Sequence, residues 1–71
     1  MQGKVKWFNQ EKGFGFIVGS DAKEYFVHYT QIRAEGFKTL EEGNLVNFEA
    51  IEIEKGLQAK NVLKINEVEI A

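Results

Sequence analysis

The stretch that most constrains the fold is Lys12-Gly13-Phe14-Gly15-Phe16-Ile17. In an extended chain, alternate side chains point to opposite faces. Phe14 and Phe16 share one face, and Gly13, Gly15 and Ile17 take the other. A strand built only to fill a core does not set two phenylalanines against two glycines across its thickness. Glycine inside a strand weakens it, and marks a bend or a close approach of another backbone. This segment therefore reads as a curved strand with a bulky aromatic face and a nearly bare one. Which face looks inward decides what the chain does.

The rest of the chain reads as strands. Lys4 to Phe8 contains alternating polar and apolar residues, and Asn9 to Gly13 is a polar turn ending in glycine. Phe14 to Val18 is a second strand, Gly19-Ser20-Asp21 a turn, and Glu24 to Tyr29 a third strand rich in aromatic and β-branched residues. The regular spacing of the three runs predicts an antiparallel meander. Thr30 is placed to cap one short helical turn over Gln31-Ile32-Arg33. Residues 34–39 have no clear period and read as a long loop, followed by a turn over residues 40–44. Leu45 to Ile53 is a fourth strand with Val46, Phe48 and Ala50 on one face. Its apolar positions then change parity to Ile51 and Ile53, which predicts a bulge or bend there. Glu54-Lys55-Gly56 turns the chain into a fifth strand from Gln58 to about Ile65.

Five short strands in 71 residues leave too much edge and wet face as an open sheet. Closing them into a small all-β barrel removes most of that edge. Val5, Ile17, Val27, Ile32, Val46, Phe48 and Val62 suffice as candidates for its interior. None of Phe14, Phe16 and Phe26 is needed there. At this length one small domain is expected, with a core only just large enough to fold unaided.

Composition excludes several classes. There is no cysteine, hence no disulfide or thiolate metal site, and a single histidine cannot anchor a metal cluster. The carboxylates are too dispersed for a metal site, and no metal or cofactor is expected. Nothing resembles a signal peptide, and no apolar run approaches the ~20 residues that span a bilayer. The chain is read as soluble and cytoplasmic, without a membrane partner. An enzyme is the weakest reading. There is no Cys–His pair, and Lys12-Gly13-Phe14-Gly15 lacks the spacing and the following helix of a phosphate-cradling loop.

The third strand repeats the logic of the second. Phe26 and His28 share one face and Val27 takes the other. Paired as a hairpin, the two strands put Phe14, Phe16, Phe26 and His28 in one aromatic patch. Trp7 and Phe8 lie beside it, with Lys6 and Lys12 at its border. A phenylalanine in a strand is more often core than platform. Two adjacent strands that both set aromatics against glycine or valine shift the balance outward. An exposed apolar patch of this size marks a binding surface. Rings interleaved with lysines suit single-stranded nucleic acid, whose bases stack and whose phosphates meet the cations. Trp7 is the difficulty: it shares parity with Val5, so it reaches the patch only if the strand bends.

The formal charge of −2 argues against a polyanionic partner, but its distribution matters more than the sum. Lys4, Lys6 and Lys12 lie early, whereas Glu41, Glu42, Glu49, Glu52 and Glu54 fall in a later stretch with no basic residue. Lys4 and the glutamates also fit ordinary solvated surface. A peptide-binding module on the same barrel is the competing reading. Salt separates the two, because only polyanion affinity falls steeply as counterions are released.

Taken together, Gly3-Lys4-Val5-Lys6-Trp7-Phe8-Asn9, Glu11-Lys12-Gly13-Phe14-Gly15-Phe16-Ile17 and Phe26-Val27-His28 closely resemble the bacterial cold-shock proteins. The second and third look like that family's two ribonucleoprotein-type motifs. Residues 35–40 resemble its long loop and residues 58–62 its last strand. The resemblance implies a five-stranded antiparallel oligonucleotide-binding (OB) barrel over residues 1–65. It also implies binding of single-stranded RNA and DNA, an RNA-chaperone role in the cold-shock response, and transcription antitermination or translation control. It implies no small-molecule substrate. By position it adds Phe37 and Tyr29 as stacking residues, and Lys55 and Gln58 at the edge of the surface, to Lys6, Trp7, Phe8, Lys12, Phe14, Phe16, Phe26 and His28. Tyr25 stands where a smaller aliphatic residue is usual, so its hydroxyl must find solvent or a partner. Residues 66–71 run beyond the usual end. Their alternation suits either an extension of the last strand or pairing with another chain in a dimer; a monomer is the default.

Overall fold

The structure is a computed structural model, and it describes residues 1–33 and 39–65. Five strands form: β1 (Gln2–Asn9), β2 (Phe14–Gly19), β3 (Glu24–His28), β4 (Leu45–Ile53) and β5 (Gly56–Lys64). They close into a barrel in the order β1-β2-β3-β5-β4. The β1–β2, β2–β3, β1–β4 and β4–β5 seams are antiparallel, as expected, and the β3–β5 seam is parallel. The parallel seam follows from counting. Strand directions cannot alternate around a closed ring of five, so one seam must join like directions. That seam is thin, with the pair Phe26–Gln58 and an adjoining bridge between Ile32 and Val62.

All seven interior candidates are buried, and Tyr25, Leu40 and Ala59 join them. One of these additions, Ala59, has its physical origin in a β-bulge, which inserts one residue into a strand and inverts its inward–outward alternation. In the β4–β5 ladder, Asn47 pairs with Leu63 but Glu49 pairs with Lys60, so β5 carries the extra residue. Asn61 sits there with φ of +51°, a conformation that asparagine tolerates better than most. Its carboxamide oxygen accepts a hydrogen bond from Arg33 Nη1 at 3.0 Å. The bulge is why both Val62 and Ala59, three residues apart, face inward. The irregularity expected at Ala50–Ile51 thus falls one pair away and on the opposite strand, while Ala50 and Ile51 pair in register with Ala59 and Gln58.

Tyr25 is inside because it shares a face with Val27. Its ring packs against Phe48, with centroids 5.1 Å apart at 57°. Its hydroxyl escapes burial by donating to Asp21 Oδ2 at 2.5 Å. Leu40, read above as the start of a turn, is 1% exposed. The short helical turn is also displaced. A 3₁₀ turn spans Tyr29–Gln31, and its cap is His28, not Thr30: the His28 side chain accepts from the Thr30 amide.

Gly15 marks the closest approach in the barrel. A Cβ added there collides with the Trp7 carbonyl oxygen and comes within 2.7 Å of Phe8 Cα. Gly15→Ala therefore has to push β1 away from β2. It is expected to lower stability by about 1–3 kcal/mol, the usual cost of overpacking, as a drop in the urea midpoint.

The Asp21–Tyr25 bond makes stability depend on pH at both ends. The Tyr25 hydroxyl holds the Asp21 carboxyl below its ordinary value of 3.8, and the Asp21 carboxylate raises the Tyr25 phenol above 10.0. The carboxylate's contribution is present above pH 3.8 and is lost as pH falls through the lower folded value. The phenol's contribution is present below pH 10.0 and is lost as pH rises through the higher folded value. Tyr25→Phe removes both. The stability difference between parent and variant, measured by urea unfolding, is expected to be level at intermediate pH and to shrink at either extreme.

Candidate nucleic-acid interface

The outward faces of β2 and β3 carry the rings. Phe14 pairs with His28 and Phe16 with Phe26, so the four side chains form a two-by-two array. Phe14, Phe16, Phe26 and His28 are half-buried, each covered by its neighbours on the sheet and open above. The Phe14 and Phe26 rings lie diagonally, with centroids 5.7 Å apart at 32°, and Phe16 meets Phe26 at 5.8 Å, nearly edge-on.

Trp7 reaches this array through a second bulge. Val5 pairs with Ile17 and Trp7 with Phe16, so Lys6 is the inserted residue. The insertion inverts the alternation of β1 beyond Val5, and Trp7 emerges beside Phe16. It stands 5.6 Å from the Phe16 ring and 6.1 Å from that of Phe14, and is 38% exposed. The same inversion carries Phe8 the other way. Phe8 pairs with Gly15, on the face opposite Phe14 and Phe16, and packs against the core while half-buried. The four contacting rings are Trp7, Phe14, Phe16 and Phe26, and Phe8 supports them from below.

The turn between β1 and β2 holds Lys12 and Gly13. Asn9 organises it: its side-chain oxygen accepts from the Lys12 amide at 2.9 Å, and its carbonyl accepts from the Gly13 amide at 2.8 Å. The Lys12 side chain is left exposed. Gly13 has φ of +78°, and a Cβ there comes within 2.6 Å of the Tyr29 ring. The Tyr29 amide in turn donates to the Gly13 carbonyl at 2.8 Å. Tyr29 is thus laid over the turn, 46% exposed, with its ring 4.7 Å from that of His28. His28 Nδ1 also lies 2.9 Å from Thr30 Oγ1, which fixes the imidazole at the border of the array.

Lys6, at the bulge, is not free. Its ammonium pairs with Glu24 Oε2 at 2.7 Å, with both side chains about half exposed. Glu24 shares its parity with Phe26 and His28, and that parity is legible in the sequence; the pairing with Lys6 is not, because it depends on the bulge. On the far side of the array, Lys55 and Gln58 line a hollow of about 350 Å³ with Phe16, Glu24, Phe26 and Leu57. Its existence follows from the thin parallel seam, where Gln58 stands opposite Phe26. Phe37 lies outside the described residues.

The arrangement offers stacking surface and cations. Among the described residues there is no group of three acidic, histidine or cysteine side chains that could hold a metal. No helix among the described residues is long and apolar enough to cross a membrane. The acidic strand β4, with Glu49 and Glu52 exposed, is separated from β2 by β1 and from β3 by β5. The strand that bears these carboxylates therefore adjoins neither of the strands that carry the phenylalanines.

Comparison with known proteins agrees with this geometry. Residues 1–65 match the family model described as the 'Cold-shock' DNA-binding domain. Cold shock protein CspB of Bacillus caldolyticus is 56% identical over 64 residues, covering 90% of this chain and 97% of that protein. Cold shock-like protein CspC of Bacillus cereus is 52% identical over 65 residues, or 92% of this chain and all of that protein. Cold shock protein CspD of Bacillus subtilis is 56% identical over 63 residues, covering 89% and 96% of the two chains. Among solved structures, the Drosophila Unr CSD456 structure superposes with a TM-score of 0.76 at 22% identity, over 99% of this chain and 28% of that one, a likeness of fold. A five-stranded barrel with an outward aromatic face, matched over residues 1–65 and at more than half identity to whole cold shock proteins, makes this chain a member of the cold-shock domain family.

Proposed function

We propose that this chain is a non-enzymatic binder of single-stranded RNA and DNA that acts in the cytoplasm as an RNA chaperone in the cold-shock response. In this reading residues 1–65 form the binding domain. Antitermination of transcription and control of translation follow as uses of the same activity, since both depend on keeping RNA unfolded. The observation that carries the reading is the contiguous set of rings Trp7, Phe16, Phe26 and Phe14, left open to solvent on a barrel whose core is complete without them. Bases stack on these rings and on His28, Tyr29 and Phe37. Lys6 and Lys12 meet phosphates, and Lys55 and Gln58 border the path; Phe8 backs the rings. Stacking contributes roughly 1–3 kcal/mol per base with little regard to its identity, so a few stacked bases give useful affinity and weak sequence preference.

Trp7 supplies the assay, because it is the single tryptophan and lies in the proposed site. Titration with oligothymidine is expected to quench its fluorescence. The logarithm of the affinity should fall linearly with that of salt, by about 0.7 per phosphate neutralised. Salt-independent binding, or no quenching at low salt, would count against the proposal. Phe14→Ala and Phe26→Ala are each expected to weaken binding by about 1–3 kcal/mol. The stability loss should be well below the roughly 3–5 kcal/mol expected for Phe48→Ala, whose ring is 3% exposed.

Glu24→Gln tests the cation. The Lys6–Glu24 pair is exposed and contributes at most about 1 kcal/mol, so stability should change little. Removing the carboxylate frees Lys6 and deletes a negative charge beside the phosphate path. Affinity for oligothymidine at low salt is expected to rise, with the difference fading as salt is added.

A further inference from the structure

At the His28 end of the ring array, the turn between β1 and β2 and the start of the 3₁₀ turn flank a hollow of about 300 Å³. Its walls are Gln10, Glu11, Lys12, Gly13 and Tyr29. The array leads into it: Phe14 pairs with His28, and the Tyr29 ring lies 4.7 Å from the imidazole. Bonds to the backbone hold the walls in place. The Asn9 carbonyl and side-chain oxygens accept from the Gly13 and Lys12 amides, and the Gly13 carbonyl accepts from the Tyr29 amide at 2.8 Å. Gln10, Glu11, Lys12 and Tyr29 are exposed, and their side chains make no hydrogen bond or ion pair among the described residues. Their polar groups are open to a ligand.

The chemistry of those groups selects what fits. Tyr29 is an aromatic wall, and every base has a π-face to lay against it. The edge of the base then decides. A carboxylate only accepts hydrogen bonds, so Glu11 calls for donors. Guanine carries two adjacent donors on its pairing edge, N1–H and the 2-amino group, and these match the two oxygens of one carboxylate. Thymine and uracil offer one N–H between two carbonyl oxygens, which a carboxylate repels. Adenine and cytosine set their amino group beside a bare ring nitrogen. The Lys12 ammonium, in the same hollow, offsets the negative charge that Glu11 brings to the path of a polyanion.

We infer that this hollow is a guanine-selective subsite, with Glu11 as the residue that determines the selectivity. The inference rests on the proposed binding of single strands and adds to it one position with a base preference. Guanine stacks on the Tyr29 ring. N1–H and the amino group donate to the Glu11 carboxylate, the Gln10 carboxamide donates to O6, and the Lys12 ammonium meets the adjoining phosphate. Unpaired bases are generally told apart in this way, by stacking together with hydrogen bonds to the pairing edge.

A fluorescently labelled hexathymidine, bound to the full chain at low salt, is displaced by unlabelled hexamers and followed by anisotropy. The competitors are hexathymidine and the set that carries one guanine at each position in turn. Guanine at one position is expected to bind about fivefold or more tighter than thymine there, the low end of what a bidentate contact to a base contributes. Inosine at that position keeps N1–H and O6 but lacks the amino group, and should lose most of the gain. Glu11→Gln removes a negative charge and should raise the affinity for hexathymidine while cutting the preference for guanine. The assignment is overturned if no position favours guanine, if inosine equals guanine on the parent chain, or if the preference is undiminished in Glu11→Gln; each of these outcomes leaves single-strand binding intact. Failure of the labelled hexathymidine to bind at all removes the single-strand reading, and this subsite with it.

Discussion

Much of the aromatic face depends on one backbone contact, the approach of β1 to Gly15. The Trp7 carbonyl and Phe8 Cα press onto a position with no Cβ. That approach accompanies the single-residue bulge at Lys6, and the bulge has three consequences at once. It turns Trp7 outward beside Phe16, turns Phe8 inward beneath the array, and leaves Lys6 on the outside where it meets Glu24. A regular β1 would bury Trp7 and expose Phe8, leaving the rings of β2 and β3 without their neighbour. Gly15, between the two phenylalanines, is therefore a condition for the aromatic face, and not only a source of curvature.

The rings can remain outside because the interior does not need them. The core is built from Val5, Ile17, Val27, Ile32, Leu40, Val46, Ala59 and Val62 with two aromatic side chains, Phe48 and Tyr25. A barrel this narrow is filled by branched aliphatics. The outer phenylalanines gain partial burial from one another instead, in edge-on and tilted contacts of 5.6–6.1 Å. Such contacts contribute about 0.5–1.5 kcal/mol beyond area burial. They hold the array open as a rigid surface without requiring a ligand to keep it from collapsing.

Alternation made most of this legible. The parity of Phe14, Phe16, Phe26 and His28 against Gly15, Ile17 and Val27 is a purely local signal, and the structure follows it residue by residue. What alternation could not reach lies at the two bulges. Nothing in Val5-Lys6-Trp7 alone says that Lys6 is inserted, because the insertion is set by the pairing with β2. Likewise Ala59 is buried only because Asn61 is the extra residue against β4. Leu40 was hidden for a different reason: it stands alone among polar residues, so no period announces its burial. Tyr25 carried a signal, since it shares a face with Val27. Its hydroxyl made the inward position look costly until Asp21 was found to accept from it.

The remaining puzzle is how a chain of net charge −2 presents a face suited to a polyanion. The answer lies in strand order. In a ring of β1-β2-β3-β5-β4, the strand farthest from the β2–β3 seam is β4, and it carries exposed Glu49 and Glu52. At physiological salt the screening length is about 8 Å. Charges beyond that distance act weakly on the ring face, which Lys6, Lys12 and Lys55 border. Glu24 and Glu11 lie closer: Glu24 is on the ring face itself and holds Lys6, and Glu11 shares a hollow with Lys12 and Tyr29. The contact between Lys6 and Glu24 is weak, since an exposed ion pair contributes no more than about 1 kcal/mol. The Lys6–Glu24 pair thus orders the lysine at the border of the aromatic array through a contact that costs little to break.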